Sequence, residues 1–325
     1  MESNYLGGQA VEMPDRDYRQ SYELWQAQTR GMLKRPDYFI DPLFSILEGR
    51  FSGVPCAFDK RLAYRQGEVT IWAGPNGQGK SLLTGQVAQE LLAHGERCLI
   101  MSFEMLPSRT LERMMRQAFG FKIVGPESFR KYKANVVKWV NYVRDKGLIF
   151  ANHKGAISPD LVLGMALVAV NEYHVKHVFV DNLMKVVAGE DNLNGQKDFV
   201  NNLCSLAADT GCHVHLIHHT RKGNSDRDAI DKNSLRGSSS IADQVDNIVL
   251  IQRNLDKEKK AGDNNLTEEE DLTQMDVLLN VVKQRNGDWT GGIPLWFDRA
   301  STAYCQTSQR ILPDLCPREL IPEGA

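Results

Sequence analysis

Gly74-Pro75-Asn76-Gly77-Gln78-Gly79-Lys80-Ser81 separates two apolar stretches. Before it, Val69-Thr70-Ile71-Trp72-Ala73 reads as a strand. After it, Leu82, Leu83, Val87 and Leu91 recur at helical spacing. Strand, glycine-rich turn and helix, in that order, form the context in which G-x-x-x-x-G-K-[ST] cradles phosphate. The glycines let backbone N–H groups close around the anion, and the helix N-terminus adds partial positive charge. Gly74, Pro75, Asn76, Gly77, Gln78 and Gly79, with Leu82, are therefore expected to line the phosphates. Lys80 would reach the β- and γ-phosphates, and the Ser81 hydroxyl would join a Mg²⁺ shell. The expected ligand is ATP or another nucleoside triphosphate with Mg²⁺. A glycine-rich turn with a chance lysine is the bland alternative, and both flanks speak against it.

Outward from this turn the pattern alternates. Strand-like runs fall at Glu68–Ala73, Arg97–Phe103, Leu148–Ala151, His177–Val180 and His213–His218. Helical runs lie between them, including Pro107–Phe119 and Ser158–Tyr173, the latter with Ser158 as cap and Pro159 in first position. Short apolar strands alternating with helices predict an α/β fold whose mostly parallel sheet is covered on both faces. Later, Asn247–Arg253, Asp276–Lys283, Ile293–Phe297 and Ala303–Gln306 are strand-like with little helix between, so antiparallel strands should extend the sheet. Asn286-Gly287 is a hairpin turn signal. Asp256–Asp271 is charged and polar and is expected to be a solvated surface loop.

The N-terminal 52 residues differ in character. Residues 1–16 are polar and expected to be disordered. Asp17 to Leu33 predicts a helix with Tyr18, Tyr22, Trp25, Thr29 and Met32 along one face, ended by Pro36. Asp41-Pro42 should cap a short helical turn through Leu47. The domain division expected is 1–52 as an N-terminal arm, 53–306 as the main domain and 307–325 as a tail.

A net charge of −2 over 325 residues, with 42% hydrophobic and 25% charged residues, describes an ordinary globular chain. It excludes a generally basic nucleic-acid coat. Met1-Glu2-Ser3-Asn4-Tyr5 shows no basic or apolar signal region, so no export signal is expected, and the longest apolar stretch, around Leu161–Val170, is too short to span a bilayer. Six cysteines form no C-x-x-C pair and read as reduced core residues of a cytoplasmic protein.

Hydrolysis requires more than a phosphate loop. Val178-Phe179-Val180-Asp181 is an apolar strand ending in a carboxylate, the pattern of an acid that holds Mg²⁺ through water. A turn or cap aspartate is the ordinary alternative for Asp181. Leu99-Ile100-Met101-Ser102-Phe103-Glu104 ends the same way, and in a parallel sheet its C-terminal end faces the same crevice. Glu104 is thus a candidate to orient or deprotonate water. His213, His215, His218 and His219 raise the alternative of zinc, yet no cysteine or acid stands at ligand spacing and the run otherwise reads as buried strand.

Five stretches, in order, make the chain resemble the motor domain of the RecA-type hexameric replicative helicases, the group of bacterial DnaB, mitochondrial Twinkle and the phage primase–helicases. They are the phosphate loop, Ser102-Phe103-Glu104-Met105, His218-His219-Thr220-Arg221-Lys222, Ser234-Leu235-Arg236-Gly237-Ser238 continuing to Asp246, and Val282-Lys283-Gln284-Arg285-Asn286-Gly287. The resemblance covers roughly Gly53 to Phe297 and implies a RecA-like P-loop core. It makes Glu104 the catalytic glutamate, Asp181 the Mg²⁺-associated acid and His219 the polar sensor, with His218 as the alternative. Lys283 and Arg285 alternate on one strand and so point to one side; the resemblance implies that they reach a neighbouring subunit's ATP. It further implies a homo-hexamer with ATP at each interface. Single-stranded DNA would be gripped by loops lining a central channel.

The loop after the sensor strand carries Arg221, Lys222, Arg227, Lys232 and Arg236 against Asp226, Asp228 and Asp231, five against three, with Asn224 as a neutral donor. A second loop after the Asp181 strand offers Asn194, Gln196 and Lys197. Charge alone makes both ordinary surface loops; the resemblance makes them DNA loops, with sequence-independent, salt-sensitive binding. From the short segment before Gly53, neither a primase nor a helical collar is expected. A stand-alone phage- or plasmid-type helicase is therefore expected, with primase, polymerase or single-strand-binding protein as separate partners. A recombination ATPase of the RecA/RadA type and a DNA-independent regulatory ATPase ring stay open.

Overall fold

The computed structural model describes residues 5–6, 9–10, 26, 29, 31–49, 53–187, 189, 192–220 and 239–322. The chain divides into two units, Met1–Phe51 and Ser52–Ala325. In the first, Tyr5–Leu6 pairs antiparallel with Gln9–Ala10, where disorder is expected. The helix expected over 17–33 falls largely outside the described residues. Pro36 opens a 3-10 turn, Pro36–Phe39, which runs into a helix at Ile40–Leu47. Pro36 thus opens a helical segment of its own, because its missing N–H is not needed in a first turn. Asp41 and Pro42 lie inside the helix instead of capping it, since the preceding turn has already set helical dihedrals. Tyr38, Phe39, Leu43, Phe44 and Leu47 of this unit are exposed.

The second unit begins with a hairpin, β1 (Val54–Cys56) and β2 (Asp59–Tyr64). Then β3 (Val69–Gly74) leads into α1 (Lys80–Ala93), β4 (Cys98–Ser102), α2 (Pro107–Phe119), α3 (Gly125–Asp145) and β5 (Leu148–Phe150). After these come α4 (Pro159–Tyr173), β6 (His177–Asp181), α5 (Leu183–Val186), α6 (Leu193–Thr210) and β7 (His213–His219). The remaining elements are α7 (Ser239–Gln244), β8 (Asn247–Arg253), α8 (Leu255–Gly262), α9 (Glu268–Thr273), β9 (Val277–Gln284), β10 (Gly291–Asp298) and β11 (Ala303–Cys305). The described residues form a nine-stranded sheet in the order β11-β10-β9-β8-β3-β7-β6-β4-β5. From β8 to β5 every pairing is parallel, and from β8 to β11 every pairing is antiparallel. The expected α/β fold is thus present, with β8 on the parallel side of the change.

β3 stands in the middle, and all six of its residues are buried. One apolar cluster, with Val162, Phe199, Leu203 and Ile241 from α4, α6 and α7, covers one face. The other, with Leu83, Val87, Met114 and Trp139 from α1, α2 and α3, covers the opposite face. Ser158 caps α4 by accepting from the Leu161 N–H, with Pro159 in first position as its sequence predicts.

Three local expectations give way to tertiary contacts. Asp256–Asp271 is not a loop: Asn254 caps α8, and Thr267 with Glu270 forms a capping box on α9. Lys257 is buried between Asp271 of the same segment at 3.0 Å and Asp276 beyond it at 2.8 Å. Asn286-Gly287 does lie in the connection of the β9–β10 hairpin, but that connection runs over residues 285–290 rather than two, and the Asn286 amide donates to Glu68 Oε1 at 2.7 Å. Residues 194 and 197 lie in the first turn of α6, capped by Asn192, rather than in a loop. No helix among the described residues is long and apolar enough to cross a membrane.

At the N-terminal ends of β6 and β7, His177, His213 and His215 pack against Tyr64 and Trp72. His213 faces Thr70 Oγ1 at 2.8 Å, while His215 accepts from Trp72 Nε1 at 3.2 Å and stacks on Phe179. Among the described residues no group of three His, Cys, Asp or Glu could hold a metal. Burial pushes His213 down to about 4 and His177 and His215 well below the usual imidazole range. Unfolded imidazoles take up protons near pH ~6.5, so stability is complete above that value and falls as pH drops below it. The urea midpoint should therefore decline from about pH 6.5 towards pH ~4, and His215→Phe should make that decline shallower. Equal slopes for the two proteins in urea titrations would refute this.

Candidate active site

The phosphate loop joins the buried end of β3 to α1. Gly77 and Gly79 have φ of +78° and +82°, values at which a side chain is strained. A Cβ on Gly79 would also collide with the Tyr304 hydroxyl, which donates to Gly79 O at 3.3 Å. Gln78 is buried, and its Oε1 accepts from the Arg253 amide at 2.7 Å; the Arg253 guanidinium donates to Gly77 O at 2.8 Å. A bidentate contact with Glu258 holds that guanidinium in turn. Pro75 and Leu82 are half-buried, while Asn76 and Gly77 are exposed at the rim.

Lys80 is buried, and its ammonium donates to Gly74 O at 2.9 Å and Pro75 O at 2.8 Å. Burial lowers its pKa to about 8, with Asp181 and Glu104 pulling in the other direction. Asp181 ends β6 beside Ser102, whose hydroxyl donates to Asp181 Oδ2 at 3.5 Å. Burial raises the Asp181 carboxyl, and Ser81 is the main influence lowering it again. Asp181 Oδ1 is buried without a hydrogen-bond partner among the described residues. An orphaned carboxylate oxygen close to a serine hydroxyl and opposite a lysine fits a divalent cation. Ser81 and Asp181 are the residues that would hold Mg²⁺, which when bound neutralises charge on the triphosphate.

Glu104 follows β4, and β4 pairs with β6 so that Ser102 stands opposite Asp181. Asn182 Nδ2 donates to Glu104 Oε1 at 2.5 Å and lies 2.8 Å from His219 Nε2. His219 Nε2 is 4.0 Å from Glu104 Oε1. His219 first, and Asn182 next, hold the Glu104 carboxyl below its usual range against the effect of burial. His219 also stands opposite Gly74 in the β3–β7 register, so it adjoins the start of the phosphate loop. His218 is fully buried. The structure therefore brings His219, not His218, to Glu104. A carboxylate kept ionised at a crevice rim can accept a proton from water, and Lys80 can balance phosphate charge beside it.

Other residues are not part of this set. Lys283 and Arg285 lie where β9 ends, beside the start of β8 and the N-terminal end of β3. The six residues of β3, about 20 Å of extended chain, separate them from their own phosphate loop. Asn194 and Lys197 are exposed on α6. Arg221, Lys222, Asn224, Arg227 and Lys232 lie outside the described residues. Sequence reasoning missed Asn182, Arg253 and Tyr304. Asn182 directly follows the strand carboxylate, which was signal enough. Arg253 and Tyr304 meet the phosphate loop from 175 and 225 positions away, and only folding reveals them.

Beside Gly77 and Gly79 opens a cleft of about 850 Å³ lined by Arg253, Phe297, Asp298 and Tyr304. Its size is that of a small-molecule site.

Parallel sheet, phosphate loop and converging carboxylates define a P-loop nucleotide-binding domain of the RecA-like α/β class. The chain belongs to the AAA_25 family, described as an AAA domain, whose model matches residues 63–225. Its fold is similar to that of a solved ATPase domain, at 14% identity and a TM-score of 0.68 over 84% of this chain and 99% of that one. It is similar also to a DnaB-like replicative helicase described with its interactions with primase, at 15% identity and a TM-score of 0.66 over 89% of this chain and 71% of that one.

The lowered Lys80 pKa has a measurable consequence. Phosphate needs the charged ammonium, so affinity for a non-hydrolysable ATP analogue should hold through neutral pH. Above about pH 8 it should weaken, approaching tenfold per unit. Lys80→Ala should lose both the affinity and the slope; an analogue affinity that is flat to pH ~9.5 would contradict the assignment.

Proposed function

We propose that this chain is the motor of an ATP-dependent DNA helicase acting in replication, working as a homo-hexameric ring that moves on single-stranded DNA. The observation that carries it is the Glu104–Asn182–His219 contact. It joins the candidate base to the end of β7, and β7 leads directly into the basic segment beginning at Arg221. A DNA phosphate gripped there and a γ-phosphate at the crevice would thus act on one short strand end.

In this mechanism the loop backbone and Lys80 hold the triphosphate of ATP, and the cleft beside Gly77 takes base and ribose. Glu104 orients or deprotonates the attacking water, and His219 senses the γ-phosphate. Lys283 and Arg285 act on a neighbour's ATP, because they stand at the wrong end of the sheet for their own. An arginine supplied in trans contributes on the order of 10³–10⁵ in rate. Arg221, Lys222, Asn224, Arg227 and Lys232, with Asn194 and Lys197 as the second contact, grip the DNA backbone in the channel. The exposed apolar residues of Ile40–Leu47 suit the N-terminal arm to linking subunits. Primase, polymerase and single-strand-binding protein are the separate partners such a motor would meet.

ATP turnover measured with light-scattering mass should rise on the order of tenfold with single-stranded DNA in a ring-sized species. Glu104→Gln should stop turnover while retaining nucleotide binding. A ring whose turnover ignores DNA would overturn the helicase proposal in favour of a regulatory ATPase, and open filaments would favour a recombination ATPase.

A further inference from the structure

Lys283 and Arg285 do point to one side, and what meets them there is the C-terminal end of α7. Lys283 Nζ donates to Ala242 O at 2.7 Å and Asp243 O at 3.1 Å. Arg285 Nη2 donates to Asp243 O at 2.9 Å, Gln244 O at 3.2 Å and Val245 O at 3.5 Å. These carbonyls are the ones a helix end leaves unsatisfied, and a cation is the natural partner for them.

Asp246, the next residue, completes the cradle. Its Oδ1 accepts from Arg285 Nη1 at 2.9 Å, and its main-chain oxygen accepts from the Arg285 amide at 2.9 Å. Its other carboxylate oxygen, Oδ2, accepts from the Val69 amide at 2.9 Å, and the Asp246 amide donates to Val69 O at 3.1 Å. Asp246 is 8% exposed, so its carboxylate is largely withdrawn from solvent. The carboxylate is therefore fixed on one side by the first residue of the central strand and bears Arg285 on the other.

The cradle holds Arg285 without exhausting it. A guanidinium has five N–H donors. The Nε hydrogen and a second Nη1 hydrogen take no partner among the described residues, and the side chain remains 48% exposed. A phosphate approaching from outside the chain can still be met by an arginine whose orientation is already set.

We propose that Asp246 is the positioning residue of Arg285: it fixes the guanidinium at the chain's edge, ready for a neighbouring subunit's triphosphate. This rests on the trans role of Arg285 proposed above. Asp246 touches no nucleotide; it acts through Arg285. Its loss would leave the arginine to sample many rotamers, and loss of orientation of this kind costs about 10²-fold in rate.

The test compares Asp246→Asn, Arg285→Ala and Glu104→Gln in the full chain. The carboxamide oxygen can still accept from Val69, so the strand end is retained while the charge on Arg285 is lost. Asp246→Asn is expected to reduce kcat by about tenfold to a hundredfold, with KM for ATP and analogue binding unchanged, since its own phosphate loop is intact. Adding Glu104→Gln protein, itself inactive but with intact Asp246 and Arg285, should restore turnover in mixed assemblies, as it should for Arg285→Ala. A purely structural role for Asp246 would give no such restoration. Wild-type turnover by Asp246→Asn beside a slow Arg285→Ala overturns this proposal and leaves the trans arginine standing. A slow Asp246→Asn that mixing fails to restore, or one that no longer binds the analogue, also overturns it. Wild-type turnover by Arg285→Ala removes the trans arginine itself, and the inference with it.

Discussion

The burial of β3 on both faces and both edges governs the rest of the molecule. No residue from Val69 to Gly74 reaches solvent, so the chain leaving the strand must turn within a few residues and re-enter the fold as α1. That turn packs against the Ile251 carbonyl and the Tyr304 hydroxyl, contacts that leave no room for a Cβ at Gly74 or Gly79. A loop held on so tight a path between a strand and a helix N-terminus is the kind of backbone that suits an anion.

α1 carries the cost of that position. It is enclosed by the sheet, α2 and the late strands, so polar residues that would face water on an ordinary helix are buried here. Gln86 resolves this by accepting from the Tyr304 amide at 2.8 Å and donating to Tyr304 O at 2.9 Å, acting as one more strand partner for β11. Gln89 donates to Gln117 on α2. Glu90, hydrogen-bonded to Gln86, has its carboxyl raised to about 8 by burial, so it is held neutral near physiological pH. Burial thus shifts pKa in opposite directions along one helix, down for Lys80 and up for Glu90, and disfavours the charge in both.

The two ends of the parallel strands carry different chemistry. Lys80, Asp181, Asn182, Glu104 and His219 gather at the C-terminal ends, with charges partly balanced and one carboxylate oxygen left over. Asp246, Arg285 and Asn286, with Glu68, gather at the N-terminal ends, tied to one another, to the start of β3 and to the end of α7. The first arrangement suits a ligand that brings phosphate and cation together. The second suits a rigid mount. In the function proposed above the two ends would meet between copies of the chain, since a sheet cannot fold end to end.

The sequence by itself determined the phosphate loop, the alternation that makes a parallel sheet, and the strand-end carboxylates Asp181 and Glu104. Each is written in neighbouring residues: apolar runs of strand length, glycines at the turn, and an acid at the end of the run. It also determined the cap of α4, where Ser158 and Pro159 act within one turn. Tertiary structure alone decided that Lys257, in the segment Asp256–Asp271, is buried against Asp276 beyond the segment itself. It alone chose His219 over His218, since that choice depends on which face of β7 meets Asn182. It alone placed Arg253 and Tyr304 on the phosphate loop and Arg285 on Asp246. These contacts join residues far apart in the chain, where neither periodicity nor composition leaves a trace.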